Sequence, residues 1–235
     1  MASTFFGLTI AYSGLQAANT SLTITGHNVS NINTKGYTRQ QAGTQAADAL
    51  RTHTTYGAIG SGVVVTEISQ IRDSYYDVKY RNNMANYGQY SVKESYMGQI
   101  EDYLDEFTLN GYSQEYKNFF SAVNQLTITP GDTSAKNQLI NNAKSLADYF
   151  NTLTTNLRNV QADANNEIKD AVQQINSYAK NIAALNRQIN QIEANYGNAN
   201  DLRDKRNAMI DELSEIVNLE TSEEDMGNNV SNFSV

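Results

Sequence analysis

The sequence contains no cysteine and a single proline, Pro130, in 235 residues. Without cysteine the chain can form neither disulfides nor thiolate metal sites, so packing alone must hold the fold together. Charged residues are also scarce, at 18% against the ~25% that is typical of globular chains. The net charge of −8 argues against nucleic acid and anionic membrane surfaces as partners.

The N-terminal segment has no charge at all, because no Asp, Glu, Lys or Arg precedes Lys35. It does not resemble a secretory signal peptide, since it lacks a basic start and since Thr, Ser, Gln and Asn interrupt its apolar residues. No window of the chain approaches the ~20 consecutive apolar residues of a membrane span. We therefore predict no membrane insertion.

A heptad pattern runs through this charge-free segment. Its positions alternate in steps of three and four and comprise Leu8, Ala11, Leu15, Ala18, Leu22, Thr25, Val29 and Ile32. The spacing predicts a helix with one apolar stripe over residues 1–33. An ordinary buried helix would explain the stripe. The uncharged remaining faces favour a helix that packs against other subunits, since a solvated helix normally displays Lys and Glu there.

Residues 34–60 lack a sustained period and predict irregular connecting chain, and the whole segment 34–72 is expected to form an irregular and extended connector. Within it, the β-branched stretch "GVVVTEI" at 62–68 indicates a strand or an extended brace. Asp73 can then cap a helix that runs to about Phe107. An aromatic stripe along that helix is interpreted as core, and it comprises Tyr76, Tyr80, Met84, Tyr87, Met97, Ile100, Leu104 and Phe107.

Three further helices follow, at 113–126, 134–196 and within 198–220, with Asp132 or Thr133 as the N-cap of the second and an N-cap at the start of the third. The second helix holds an apolar stripe over roughly 60 residues, or about 90 Å at 1.5 Å per residue. Two consecutive steps of four around Ala164 form a stutter, through which we expect the helix to continue. The third helix places Leu202, Met209, Leu213 and Ile216 on one face.

These patterns predict a mainly α chain, with an elongated helical bundle or coiled-coil rod over residues 73–217. The segment 218–235 changes to a turn signal and an alternating pattern, which predicts the start of a β-rich domain.

No residue pattern points to catalysis, a metal or a cofactor. The two histidines, His27 and His53, lack metal-ligand spacing, and His27 is interpreted as a polar contact. Carboxylates cluster at Asp201 with Asp204 and in a group made up of Glu101, Asp102, Asp105 and Glu106. Clusters of this kind on amphipathic helices usually form the solvated face, and we interpret both in that way. The sequence therefore predicts a chain that is not an enzyme.

Three segments carry a resemblance to a known family. The N-terminal motif comprises Ser13-Gly14-Leu15, Asn28, Asn31, Asn33-Thr34, Gly36-Tyr37 and Arg39-Gln40. It resembles the signature of bacterial flagellar axial proteins, those of the rod, the hook and the hook–filament junction. The Arg-Gln pair after the turn looks most like the junction members, as do "DLRDKRNAMIDELSEIVNL" at 201–219 and the segment 119–151, which runs from "FFSAVNQL" to "ADYFN". The motif departs from the family at Ser30, where alanine is common, and at Lys35, where proline is common.

The resemblance implies a structural subunit that joins hook to filament. It implies an N-terminal helix in an inner tube, with Leu8, Leu15, Leu22, Val29, Asn28 and Asn31 as assembly residues. It implies a turn motif made of Asn33, Thr34, Gly36, Tyr37, Arg39 and Gln40. The implied partners are further copies in a ring or tubular lattice, the hook protein, the second junction protein and an export chaperone that usually binds the C-terminal region.

The resemblance also implies export by the flagellar type III apparatus and an extracellular position in the flagellum. Because relatives continue through a β-rich outer domain to a C-terminal helix, the chain is expected to be an N-terminal fragment. Two alternatives stay open: a hook or rod subunit, whose outer domains are mainly β, and a secreted helical adhesin or effector. An enzyme is the least favoured.

Overall fold

The computed structural model describes residues 5–51, 57–104, 111–227 and 229–235. Within these residues it has five helices: α1 (Phe6–Ser30), α2 (Ser74–Leu104), α3 (Tyr112–Ile128), α4 (Thr133–Glu193) and α5 (Asn200–Ile216). Its short strands are β1 (Gln40–Ala46), β2 (Leu50–Arg51), β3 (Ala58–Ile59), β4 (Val63–Gln70), β5 (Ser222–Asp225) and β6 (Ser231–Ser234). The prediction of a mainly α chain is confirmed.

Packing divides the chain into two compact units. One combines Met1–Ala85 with Ile175–Val235, and the other is Asn86–Gln174. The domain limits that the sequence suggests after residues 33, 72 and 217 stay predictions.

The core of the first unit lies where α4 packs on α5. Ile182 of α4 contacts Ile210 and Leu213 of α5, and all three are buried. Around them pack Ile175, Tyr178, Met209, Leu219 and Phe233. The predicted stripes of both helices supply most of these side chains, so here the helical period correctly identified the core.

In the second unit, α3 carries an aromatic row that reaches α4. Tyr116 contacts Tyr112 and Phe120 at ring-centroid distances of 5.4 and 4.5 Å, and Tyr112 contacts Phe150 of α4 at 5.8 Å. Asp132 caps α4 as predicted, because its Oδ1 accepts a hydrogen bond of 2.8 Å from the backbone N–H of Ser134. Helix α4 continues through the stutter around Ala164, as predicted.

Strands β1 and β4 pair antiparallel, from Gln40 opposite Gln70 to Ala46 opposite Val63, with a bulge between Gly43 and Thr44. The strand predicted at 62–68 is thus confirmed, whereas the irregular chain predicted for residues 34–60 is wrong at 40–46. The sequence of β1, QQAGTQA, has little β propensity of its own. Pairing with the valine-rich β4 and contact with α1 make it a strand.

Helix α2 begins as predicted, since Asp73 Oδ1 accepts a hydrogen bond of 2.9 Å from Tyr75 N–H. Its tyrosine stripe is not core, however: Tyr76, Tyr80 and Tyr87 are 67%, 51% and 61% exposed. The helix turns the opposite face inward, where Arg81 is 5% exposed. The prediction that the aromatic stripe forms core is wrong because the buried side of α2 is held by ion pairs. Charged side chains on a buried face give no periodic apolar pattern in the sequence. Phe107, Asp105, Glu106 and His53 lie outside the described residues.

The α4–α5 connection also differs from the prediction at the start of α5. Ala199 occupies the N-cap position, and no side chain caps the helix there. The neighbouring asparagines, Asn198 and Asn200, donate from Nδ2 to the Ile68 carbonyl of β4, at 2.9 and 2.7 Å. They fasten the start of α5 to the β1–β4 pair.

Candidate assembly site

Helix α1 has two faces with opposite surroundings. One face lies against β1 and β4, and there Ala17 and Ile24 are buried at 9% and 8% exposure. The other face carries the predicted stripe, and all eight of its positions are exposed. Its large side chains are the most exposed: Leu8 65%, Leu15 58%, Leu22 70%, Val29 65% and Ile32 77%.

This exposure bears on the two interpretations of the heptad pattern. Within the described part of the chain no segment covers the stripe, so the stripe is not part of the core that these residues form. An apolar stripe of this length in water is typical of a surface that another protein segment covers.

Six hydroxyls of α1 add little polarity to its surface, because each donates to a carbonyl one turn earlier in the same helix. The pairs are Thr9–Phe5, Ser13–Ile10, Thr20–Gln16, Thr23–Asn19, Thr25–Ser21 and Ser30–Gly26. A hydroxyl bonded in this way can leave water at little cost. The helix is therefore suited to protein contact on more than its packed face.

The predicted assembly residues separate into two groups. Leu8, Leu15, Leu22 and Val29 lie on the exposed stripe, whereas Asn28 and Asn31 lie outside it and are half-buried. The Asn31 Nδ2 donates to the His27 carbonyl at 3.0 Å, and its Oδ1 accepts from Thr34 Oγ1 at 3.2 Å. Asn31 thus adds side-chain hydrogen bonds to the C-terminal turn of α1, where its backbone N–H also donates to the His27 carbonyl at 3.1 Å.

Asn28 joins α1 to β1. Its Oδ1 accepts hydrogen bonds from the Gln40 N–H at 2.9 Å and the Tyr37 hydroxyl at 2.7 Å. Its Nδ2 donates to the Gln40 carbonyl at 2.9 Å. Burial raises the pKa of Tyr37, and the carboxylates of Asp201 and Asp204 raise it further. The phenol therefore stays protonated and able to donate.

The turn motif docks on α5. Gly36 adopts a left-handed φ of +79°, and a Cβ at this position would lie 3.0 Å from the Cβ of Ala208. Thr38 N–H donates to Asp204 Oδ2 at 2.9 Å, and Gln40 Nε2 donates to Asp201 Oδ1 at 2.9 Å. The motif is thus packed against the fold and does not form a free turn.

Three other motif residues lie at the rim of this contact. Asn33, Thr34 and Arg39 are exposed, and Arg39 contributes its carbonyl to a hydrogen bond of 2.9 Å with Ile71 N–H. Next to the motif, Lys35 Nζ lies 3.2 Å from Glu212 Oε1 of α5.

The interpretation of Asp201 and Asp204 as part of a solvated face is wrong for Asp204, which is buried, whereas Asp201 is exposed as expected. Asp204 is 6% exposed and holds Thr38, and Asp201 binds Gln40 and lies 3.6 Å from His27 Nε2. The missed signal was their spacing, which places both carboxylates with Ala208 and Glu212 on one face of α5, next to the apolar stripe.

A second face of α5 binds the start of α2 through arginines. Arg81 Nε lies 2.8 Å from Asp211 Oδ1, and its other nitrogens reach Thr221 and Asn207 at 3.3 Å. Arg72 bonds to Asp77 at 2.6 Å and to Thr38 Oγ1 at 3.2 Å, and it lies 3.7 Å from Asp211. Arg72 therefore ties the turn motif and α2 to the same helix.

Nothing in the described ranges suggests a metal or a membrane span. No group of His, Asp or Glu side chains there could hold a metal ion. None of the helices in those ranges is both long and apolar enough to cross a bilayer.

Comparison with known proteins points to one family. The sequence model of the flagellar hook-associated protein FlgK helical domain matches residues 97–232. Flagellar hook-associated protein 1 of Bacillus subtilis is 32% identical over 234 residues, covering 97% of this chain and 46% of the relative. The proteins of the same name from Salmonella typhimurium and Escherichia coli are 33% and 32% identical, over 92% of this chain and 39% and 40% of their own lengths. The chain thus spans less than half the length of these relatives.

Proposed function

The chain belongs to the flagellar hook-associated protein FlgK family, and from this membership we propose that it is a structural subunit joining hook to filament in a bacterial flagellum. The role is one of assembly and not of catalysis. The family match favours a junction subunit over the hook or rod subunit and over the adhesin, since every relative named above is a hook-associated protein.

One observation carries the proposal: the exposed stripe of α1 opposite its packed face. Each large side chain of the stripe contributes about 1.5–3 kcal/mol when it passes from water into full contact. Ordered contacts along eight positions would therefore provide a substantial driving force for association. In the proposed assembly the stripes of neighbouring copies and of adjoining flagellar proteins cover one another in an inner tube.

The proposed partners are further copies of the chain in a ring or tubular lattice, the hook protein, the second junction protein and an export chaperone. The proposed route is export by the flagellar type III apparatus to an extracellular position at the hook–filament junction. Uncharged flanks and internally bonded hydroxyls on α1 support close contact with neighbours on several sides.

Complementation tests this proposal. The gene from which this chain comes is placed in a motile bacterium that lacks its own hook-associated protein 1, and filaments and swimming are scored. We expect the unsubstituted gene to restore filaments and Leu22→Asp to abolish them, because a carboxylate on the stripe would be desolvated without a partner.

Gln16→Asp is the matched control. It adds the same charge at an exposed position of the same helix, outside the stripe. Both substitutions should leave the unfolding free energy of the 235-residue chain within ~0.5 kcal/mol of the original, because both sites are exposed. Failure of the unsubstituted gene overturns the junction role, and normal filaments with Leu22→Asp overturn the role of the stripe.

A further inference from the structure

The carboxamide of Asn28 occupies the place of a peptide group in a β ladder. It accepts from the N–H and donates to the C=O of one and the same residue, Gln40, both at 2.9 Å. Two backbone groups of a strand are paired in this way by a neighbouring strand. Here a helix side chain pairs them, so the end of α1 is tied to the first residue of β1.

We propose that Asn28 is the positioning residue that fixes the direction of α1 relative to the rest of its unit, and that it thereby sets how the apolar stripe is presented. The inference rests on the proposed function for its biological meaning. The structural claim, that Asn28 holds α1 at one angle in the free chain, does not depend on any partner protein.

Few other polar contacts hold α1 in place. Among the described residues, Ser13 Oγ accepts from Val63 N–H at 3.2 Å and His27 Nε2 approaches Asp201 at 3.6 Å. The hydroxyls of Thr20, Thr23, Thr25 and Ser30 bond to carbonyls within α1. Ala17 and Ile24 are the buried apolar residues of α1, and apolar contact has little directional preference, whereas the three hydrogen bonds of Asn28 to Gln40 and Tyr37 are directional.

The hydrogen bonds of Asn28 continue into α5. Gln40, held by Asn28 through its backbone, reaches Asp201 with its side chain at 2.9 Å. Tyr37, held through its hydroxyl, lies between Gly36 and Thr38, which both contact α5. A series of direct contacts therefore leads from α1 through one carboxamide to the helix that contains the core residues Ile210 and Leu213.

The same arrangement recurs where β6 meets α4. Asn190 Nδ2 donates to the Ser231 carbonyl at 2.9 Å, and its Oδ1 accepts from Ser231 N–H at 3.3 Å. Asn186 Nδ2 donates to the Phe233 carbonyl at 3.1 Å. Asn190 provides a matched control, because an identical change there damages a helix–strand joint that does not involve α1.

Distance measurement in the free 235-residue chain tests the inference. The absence of native cysteine allows spin labels to be placed solely at Gln16→Cys on α1 and Lys180→Cys on α4, both exposed and in the same unit. Asn28→Asp exchanges the Nδ2 donor for an oxygen that faces the Gln40 carbonyl. We expect one narrow distance distribution in the labelled parent, and one broader by roughly twofold or more in Asn28→Asp.

Asn190→Asp should leave the distribution at its parental width even if it lowers the melting temperature. If Asn28 only stabilised the fold, Asn28→Asp would likewise lower the melting temperature and leave the distance distribution at its parental width. Tyr37→Phe removes one of the three hydrogen bonds of Asn28 and should broaden the distribution less than Asn28→Asp does. It therefore tests the inference even if Asn28→Asp does not fold. Parental width in Asn28→Asp, equal broadening by Asn190→Asp, or a broad parental distribution each overturns the inference. Failure of complementation overturns the junction role alone.

Discussion

Helices α1 and α5 reverse the usual relation between charge and burial. Helix α1 has no Asp, Glu, Lys or Arg, yet it exposes its leucines. Helix α5 has charged side chains at eight of its 17 positions, yet Asp204 and Arg206 are 6% and 2% exposed. From composition alone, the uncharged α1 would be expected to be buried and the charged α5 to be exposed.

The physical reason lies in the partners that each helix finds. The charges of α5 meet opposite charges, polar groups and rings: Arg203 pairs with Glu193 and Glu223, and Arg206 bonds to Asn186 and stacks on Phe233 with 3.7 Å from Cζ to the ring centroid. Burial lowers the pKa of Arg206 to about 10, although the carboxylate of Glu223 opposes the shift, and the group remains charged at neutral pH. The stripe of α1 meets no such partner within the described chain.

The largest expected effect concerns the buried charges of the first unit. Arg81→Ala leaves Asp211 without its closest cation, and we expect the unfolding free energy to fall by about 3 kcal/mol in chemical denaturation. Lys79→Ala, at an exposed position two residues earlier in α2, should change it by less than ~0.5 kcal/mol. Similar losses in the two variants would show that the charges are not what holds α2 on α5.

A smaller effect should separate the two faces of α1. Ile24→Ala removes a buried side chain beside the β1–β4 pair and should weaken the docking of α1 by about 2 kcal/mol. Leu22→Ala, on the exposed stripe, should weaken it by less than ~0.5 kcal/mol. Amide exchange along α1 in the free chain measures both changes. Faster exchange in Leu22→Ala than in Ile24→Ala would mean that the stripe, and not the opposite face, packs on the fold.

The smallest effect is a pH dependence at the antiparallel pair of β5 and β6, where Glu223 lies near Arg203 and Arg206 of α5. Burial by itself raises the pKa of Glu223, but the hydrogen bond from Ser231 and the charges of Arg203 and Arg206 outweigh it and hold that pKa below its ordinary value of 4.5. A lowered folded-state pKa stabilises the fold above pH 4.5, and this contribution disappears as the pH falls through the lowered value.

Glu223→Gln should therefore lose part of the decline in unfolding free energy seen on acidification below pH 4.5. Glu224→Gln, its exposed neighbour, should keep the whole decline. Unfolding titrations at a series of pH values from neutral to acid compare the two variants. If the unfolding free energy falls equally with pH in both, Glu223 does not contribute to the acid destabilisation.

The helices were predictable because their signals are local. The apolar period located α4 nearly to its ends, and Asp73 and Asp132 cap α2 and α4 as predicted. Strand β1 was not predictable, since its residues have no strand preference until β4 and α1 lie beside them. The docking of Gly36 and Thr38 on α5 depends on residues some 170 positions away, which no local pattern reveals.

The sequence by itself determined the five helices, the apolar stripes of α4 and α5, the charge-free stripe of α1 and, through the motif from Ser13 to Gln40, the family resemblance. These features follow from side-chain period and from short-range backbone preferences. Only the tertiary structure decided which stripe is buried and which charge is paired. It exposed the tyrosines of α2, buried Asp204 and used asparagine carboxamides to join helices to strands. A side chain is buried only when a second surface covers it, and that surface is formed by residues far away in the chain.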